Sequence, residues 1–144
     1  MPTALHVATA LDGLPRPPCA ELLGWRVLDA RPKEGWIRVG FDARREFTNP
    51  AGFIQGGFLA AMLDDTMGPA VFVMSEGALY TVSIGMNVSY LSPARPGPLV
   101  GEGRVIQLGK SVGFIEATLS DEAGTLIARA TSSARLVPAA KALS

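Results

Sequence analysis

Asn49–Gly68 reads NPAGFIQGGFLAAMLDDTMG. A loop carrying Asn49-Pro50 and Gly52 gives way at the pair Gly56-Gly57 to helical spacing. Phe58, Leu59, Met62, Leu63, Thr66 and Ala70 recur at that spacing and form an apolar stripe. This predicts a helix over 56–74, apolar almost all round and broken only by Asp64, Asp65 and Thr66. Such a helix belongs at the centre of a fold, enclosed by other elements. Gly68-Pro69 predicts a kink, because proline deletes one backbone bond, and 75–78 ends the helix. Backbone N–H groups at a helix start can hold a developing oxyanion. A carboxylate on an apolar helix is costly to bury unless it finds partners or does chemistry. The combination suggests a polarised carbonyl with an acid, base or nucleophile acting on it.

Upstream, residues 3–12 are expected to form a short helix, ended by the turn-rich segment 12–18. Strands are expected over 23–28 and 36–41 around the turn 31–35, with Ile37, Val39 and Phe41 on one face by alternation. Downstream, 80–91 alternates: Val82, Ile84, Met86, Val88 and Tyr90 on one face, Ser83, Asn87 and Ser89 on the other. After a turn at 93–98 come strands 99–108, 112–119 and 126–137, joined by tight turns at 109–111 and 121–124. One long apolar helix followed by four antiparallel strands, read as a meander, is an α+β pattern. The economical arrangement is a curved sheet wrapped around the helix.

With 144 residues, the chain is expected to be one domain spanning 1–144, its core about 23–137. Hydrophobic residues at 48% and charged residues at 18% exclude a disordered chain. Thirteen basic against thirteen acidic residues leave no basic footprint, so nucleic acid and anionic membranes are not expected partners. Cys19 is alone, which excludes an internal disulfide or a cysteine metal cluster. The start, MPTALHVATALDG, lacks a basic region and a long apolar run, and no stretch approaches the ~18 uncharged apolar residues of a bilayer span. A soluble cytoplasmic protein is expected. The one histidine, His6, reads as a solvated or lightly packed side chain. Without a positioned histidine, a Ser–His–acid triad, a Cys–His pair and an HExxH zinc site all fail.

The segment Asn49-Pro50-Ala51-Gly52-Phe53-Ile54-Gln55-Gly56-Gly57, followed by Leu59-Ala60-Ala61 and Asp64, resembles the hotdog-fold acyl-CoA thioesterases of the PaaI, phenylacetate-degradation type. Ser83-Ile84-Gly85-Met86-Asn87-Val88-Ser89-Tyr90-Leu91-Ser92-Pro93-Ala94 resembles the strand after the helix in that family. The resemblance runs from about residue 23 to 136. It implies a hotdog fold and hydrolysis of an acyl-CoA or aryl-CoA thioester without metal or cofactor, CoA being part of the substrate. By the family pattern the Gly56 N–H polarises the carbonyl, and Asp64 is the nucleophile or the base that activates water. Asn49 holds the carbonyl or the water, and Ser83 orients the water or the carboxylate. Gln55 stands where the family commonly has histidine; it can donate and accept hydrogen bonds but cannot carry a proton.

Spacing adds a constraint. Gly56 and Asp64 are eight residues apart, roughly 12 Å along a helix. A carbonyl oxygen needs its donor within about 3 Å, and its carbon an attacking atom at about 3–3.5 Å. One chain can hardly offer both groups to one carbonyl, so the expected site is shared across a homodimer whose helices lie antiparallel. The family also pairs two such dimers into a tetramer. Asp65 points about 100° away from Asp64 on the helix and takes a structural reading, bonding a loop or an arginine.

Plainer readings stand beside these. Gly56 and Gly57 could merely allow close backbone approach, Asn49-Pro50 is a common turn former, and Ser83 could fill a tight strand contact. Phe53, Phe58 and Met62 could line an acyl pocket or belong to the core, while Met67, Met74 and Met86 read as core. For the CoA phosphates the candidates are Arg95 and the turn residues Lys110 and Ser111, against a merely solvated reading; Gly57 joins them on the substrate side. An enoyl-CoA hydratase type looks to need an Asp–His pair that His6 cannot supply. A non-catalytic acyl-CoA-binding or regulatory protein is the remaining alternative, and it would not need the carboxylate.

Overall fold

The computed structural model describes residues 9–144. A helix α1 (Pro18–Leu23) leads into strands β1 (Arg26–Arg31) and β2 (Trp36–Ala43). The long helix α2 (Gly56–Met74) follows, then β3 (Leu79–Tyr90), β4 (Gly97–Leu108), β5 (Val112–Asp121), β6 (Leu126–Pro138) and a last turn of helix, α3 (Ala139–Ala142). The strands form one antiparallel sheet in the order β1-β2-β4-β5-β6-β3. The sheet wraps α2, as expected.

By length and mean hydropathy (1.3) α2 alone would pass for a membrane span, but here the sheet takes its apolar surface. Met62, Leu63, Met67 and Val71 are buried in one core with Ile37, Val39, Phe41, Leu99, Ile115, Leu119 and Ile127. Phe58 is half-buried and stacks on Phe47 with ring centroids 4.2 Å apart. The helix sits closest to β4, where a β-carbon at Gly101 would lie 2.5 Å from Thr66 Oγ1 and one at Gly103 2.8 Å from the Thr66 carbonyl oxygen. Glycine is required at both for this approach. Thr66 is fully buried, and its hydroxyl is satisfied by donating to the Met62 carbonyl at 2.8 Å.

The helix runs through Gly68-Pro69 as one element. Proline has no N–H for the carbonyl four residues back, that of Asp65. The Trp25 indole N–H takes that carbonyl at 2.9 Å. The proline thus ties α2 to the segment between α1 and β1.

One expectation falls mostly outside the described residues, and three need correction. First, residues 1–8, with His6 and most of the expected N-terminal helix, lie outside the described residues; 10–13 form a single 3-10 turn capped by Thr9. Second, the strand expected over 23–28 pairs with β2 as expected but lies at 26–31. Pro18 starts a helix at its first position, where the missing N–H costs nothing, and Gly24 stops it at φ 69°, so the strand begins only at Arg26. Third, the strands after α2 are not a four-strand meander. Only β4, β5 and β6 are consecutive, and β3 pairs with β6 at the far edge. The place beside β4 is taken by β2, from Trp36↔Arg104 to Ala43↔Gly97, so the connection between β3 and β4 crosses to another part of the sheet instead of closing a hairpin. Fourth, β3 does not keep one alternation: its register slips between Ser83 and Gly85, leaving Ile84 in a bulge. Ser83 therefore shares the helix-facing side with Met86, Val88 and Tyr90, which pair with Ser132, Ala130 and Ala128, while Val82 faces outward opposite Arg135.

Candidate active site

Two clusters of polar groups sit along α2, one at its start and one two turns further on. At the start, Gln55 is the cap residue; its own N–H bonds the Phe47 carbonyl at 2.9 Å and its exposed side chain makes no cap bond. The N–H groups of Gly56 and Gly57 have no acceptor among the described residues, as expected in a first helical turn. The loop before them is tightly held. Asn49 Oδ1 accepts the N–H groups of Ala51 and Phe53 at 3.0 and 3.2 Å, and Ile54 N–H bonds the Ala94 carbonyl at 2.8 Å. The turn-forming reading of Asn49 is thus realised, and only its amide N–H₂ is left for a ligand. Tyr90 reaches the same place from β3: its hydroxyl donates to the Gly56 carbonyl at 3.1 Å.

Asp64 is exposed on α2, and the Ser83 hydroxyl donates to its Oδ1 at 3.1 Å. The bond occupies one carboxylate oxygen and leaves the other free. Asp65, the next residue, behaves differently. Burial, aided by the negative charge of Asp64, pushes its carboxyl up to about 7. Its Oδ2 is enclosed without a hydrogen-bond partner. No loop or arginine partner for that side chain is found among the described residues; what Asp65 gives to a loop is its main-chain carbonyl, bonded by Trp25.

Arg95 belongs to the helix-start cluster, with its guanidinium 5.0 Å over the Phe53 ring. It borders a hollow of about 560 Å³ together with Phe53 and Gly97, and Asp121 and Glu122 line the same hollow. Lys110 and Ser111 lie elsewhere. They turn the chain at the far end of β4, twelve residues from the Arg95 side, or roughly 35 Å of extended strand. The Ser111 carbonyl accepts from Leu136 N–H, next to Thr81, so this turn sits toward the Asp64 half of α2.

The structure therefore gathers Asn49, Gln55, Gly56, Gly57 and Arg95 at one place, and Asp64 and Ser83 at another. Within the chain the uninterrupted helix keeps them apart by roughly 12 Å. Tyr90 and Trp25 had not been singled out from sequence. Simple alternation puts Tyr90 on the opposite side of β3 from Ser83, and only the bulge reverses that. Gly85 inside a strand was the available signal.

A model of the thioesterase superfamily matches residues 51–128. Human acyl-coenzyme A thioesterase 13 is 34% identical over 97 residues, covering 66% of this chain and 69% of the human one. A phenylacetic acid degradation-related protein of Ralstonia eutropha JMP134 superposes with a TM-score of 0.82 at 33% identity, over 87% of this chain and 95% of that one. The E. coli PaaI protein shares the fold, with a TM-score of 0.74 at 19% identity over 81% and 86% of the two chains. Family model, relatives and curled sheet around a glycine-led helix agree: the chain belongs to the thioesterase superfamily, as a thioester hydrolase on the hotdog fold of the PaaI type.

Proposed function

We propose that the protein is a cytoplasmic acyl-CoA thioesterase, aryl-CoA esters included, with each active site built by two protomers of a homodimer. The observation that carries this is the division of the site. The free N–H groups lie at the start of α2, and the Ser83-supported carboxylate lies roughly 12 Å further along the same rigid helix. A second copy with its α2 antiparallel would bring its Asp64 to the first copy's Gly56. The margin for such a copy is available: β3 ends the sheet, and Val82, Ile84, Met86 and Tyr90 along it are all exposed. Two such dimers would pair into the tetramer usual in the family.

The chemistry follows from the groups present. The thioester carbonyl oxygen accepts the Gly56 N–H, which stabilises the charge that develops there. Asp64, with one oxygen held by Ser83, uses the other to take a proton from water, and the hydroxide adds to the carbonyl carbon. The tetrahedral oxyanion collapses, the C–S bond breaks, and the leaving thiolate of CoA takes the water-derived proton from Asp64. Alternatively the same free oxygen attacks the carbonyl directly, giving an acid anhydride that water then opens. Incorporation of labelled water oxygen into the Asp64 carboxylate separates the two routes. The Asn49 N–H₂ and the Gln55 amide would hold the carbonyl or the water. Arg95 beside the helix start, and Lys110-Ser111 from the second protomer, would meet the CoA phosphates; affinity for CoA esters then weakens with salt.

The test is complementation. Gly56→Pro removes the N–H at the first helical position, whose backbone suits proline, although its β-carbon would press at 3.2 Å on the Tyr90 ring, which must yield slightly; Asp64→Asn removes the carboxylate. Each homodimer should be inactive on a panel of short, medium, long-chain and aryl CoA esters. Equal mixing with subunit exchange should restore about a quarter of the wild-type rate, since half the dimers are hybrids with one of two sites intact. Verified exchange with no recovery excludes the shared site. Tight CoA-ester binding by the wild type without thiol release would leave a binding protein instead.

A further inference from the structure

Tyr90 is the polar side chain at the helix start that no step above employs. Its hydroxyl donates to the Gly56 carbonyl oxygen at 3.1 Å. Its ring lies against the Gly56 Cα, where a β-carbon would sit 3.2 Å from Cε1 and 3.3 Å from Cζ. Glycine at 56 is thereby explained within the chain. Glycine at 57 is not, because nothing lies within 4 Å of a β-carbon there. Glycine in a helix interior costs about 1 kcal/mol against alanine, so packing among the described residues gives no reason for glycine at 57.

The Gly56 carbonyl and the Gly57 N–H are two ends of one planar amide. A hydrogen bond accepted at the oxygen shifts electron density off the nitrogen and strengthens the N–H as a donor. Helix geometry brings the Ala60 N–H to the same oxygen, and its two lone pairs serve both donors. That Gly57 N–H itself has no acceptor among the described residues.

We propose that Tyr90 is a positioning residue for thioester hydrolysis: through the Gly56–Gly57 amide it aims and polarises the Gly57 N–H as a second donor to the substrate carbonyl oxygen, beside the Gly56 N–H. This rests on the reading that the first turn of α2 receives that oxygen. The bulge at Ile84 is what makes the role available, since it turns both Ser83 and Tyr90 toward α2. One strand thus supports both halves of the chemistry, the carboxylate through Ser83 and the oxyanion donors through Tyr90.

Tyr90→Phe keeps the ring against Gly56 and removes only the hydroxyl. On the same ester panel kcat should fall about three- to tenfold, less than for loss of a whole oxyanion donor. KM should stay within about twofold, the pattern of an interaction made in the transition state. In amide NMR spectra the Gly57 proton should move upfield while amides beyond the first turn of α2 hold their positions. An unchanged kcat in a wild type that hydrolyses the esters overturns this proposal alone. So does a joint change of kcat and KM with amide shifts spread along α2, which marks a merely structural tyrosine. A wild type that hydrolyses no ester of the panel overturns the catalytic reading and this proposal with it.

Discussion

Where α2 meets β4, the contact is closed: Thr66 is fully buried, Gly101 and Gly103 give up their side chains to admit it, and Phe41 and Leu99 seal the surroundings. Where α2 meets β3, the contacts are polar and open. Asp64 touches Ser83 and Gly56 touches Tyr90, yet Asp64, Ser83 and Tyr90 all remain exposed. The β4 side is optimised for burial and would be complete in a lone chain. The β3 side carries Asp64, Ser83, Tyr90 and the start of α2, and leaves the Gly56 and Gly57 N–H groups and one Asp64 oxygen without partners among the described residues. Stability and catalysis are thus separated across the width of one helix, and substitutions on its two sides should fail in different ways.

The largest effect belongs to the open side. Asp64→Asn should lower kcat by about a thousandfold or more, as loss of a nucleophile or base does, with the melting temperature little changed because the side chain is exposed. Ser83→Ala only frees one carboxylate oxygen to wander and should cost about tenfold. Thiol release measured beside thermal melts checks both. A large stability loss in Asp64→Asn would erase the separation.

Two glycines sharpen the contrast. Gly103→Ala on the closed side places a β-carbon 2.8 Å from a backbone oxygen of Thr66, and overpacking of this kind costs about 1–3 kcal/mol. Gly57→Ala on the open side meets nothing within 4 Å and should leave stability equal or raise it by up to about 1 kcal/mol. Its methyl group would stand where the thioester approaches, so kcat should drop while the protein becomes no less stable. Urea unfolding at one protomer concentration, set beside the rates, decides it.

What the sequence makes legible depends on how local the cause is. The span of α2 followed from its own residues, Gly56-Gly57 at one end and Ser75 at the other. The strands β5 and β6 followed likewise from tight turns at 109–111 and 121–124. The place of β3 did not, because pairing with β6 is a long-range choice imposed by β2 occupying the flank of β4. Pro17-Pro18 and Gly24 did signal a helix, but the apolar run that begins inside it reads equally well as a strand. In the site, Asp64 and Ser83 are singled out by resemblance, not by any local pattern, and the fold brings them 3.1 Å apart. Tyr90 was hidden by one extra residue in a strand: strict alternation carries it to the wrong face, and no local propensity places a bulge at Ile84 rather than beside it.

The smallest expected effect concerns Asp65, which lies between the two sides of α2. Its folded carboxyl titrates near 7 against 3.8 in an open chain, raised first by burial and then by Asp64. Between those values the folded state keeps a proton that the unfolded state has lost. The advantage is present in full below about 3.8 and is lost as pH rises through about 7. Above that, folding must hold a charged, partly buried carboxylate whose Oδ2 has no hydrogen-bond partner. Asp65→Asn removes the titration. Its stability should match the wild type near pH 4, gain on it steadily to about pH 7, and stay ahead by on the order of 1 kcal/mol above that, after allowance for solvent screening. Unfolding midpoints across that range at fixed protomer concentration test this. A gain that is flat with pH would assign the effect to packing rather than charge. A loss at pH 8 would mean that the charged form has a stabilising partner, which a second copy facing the open side could supply.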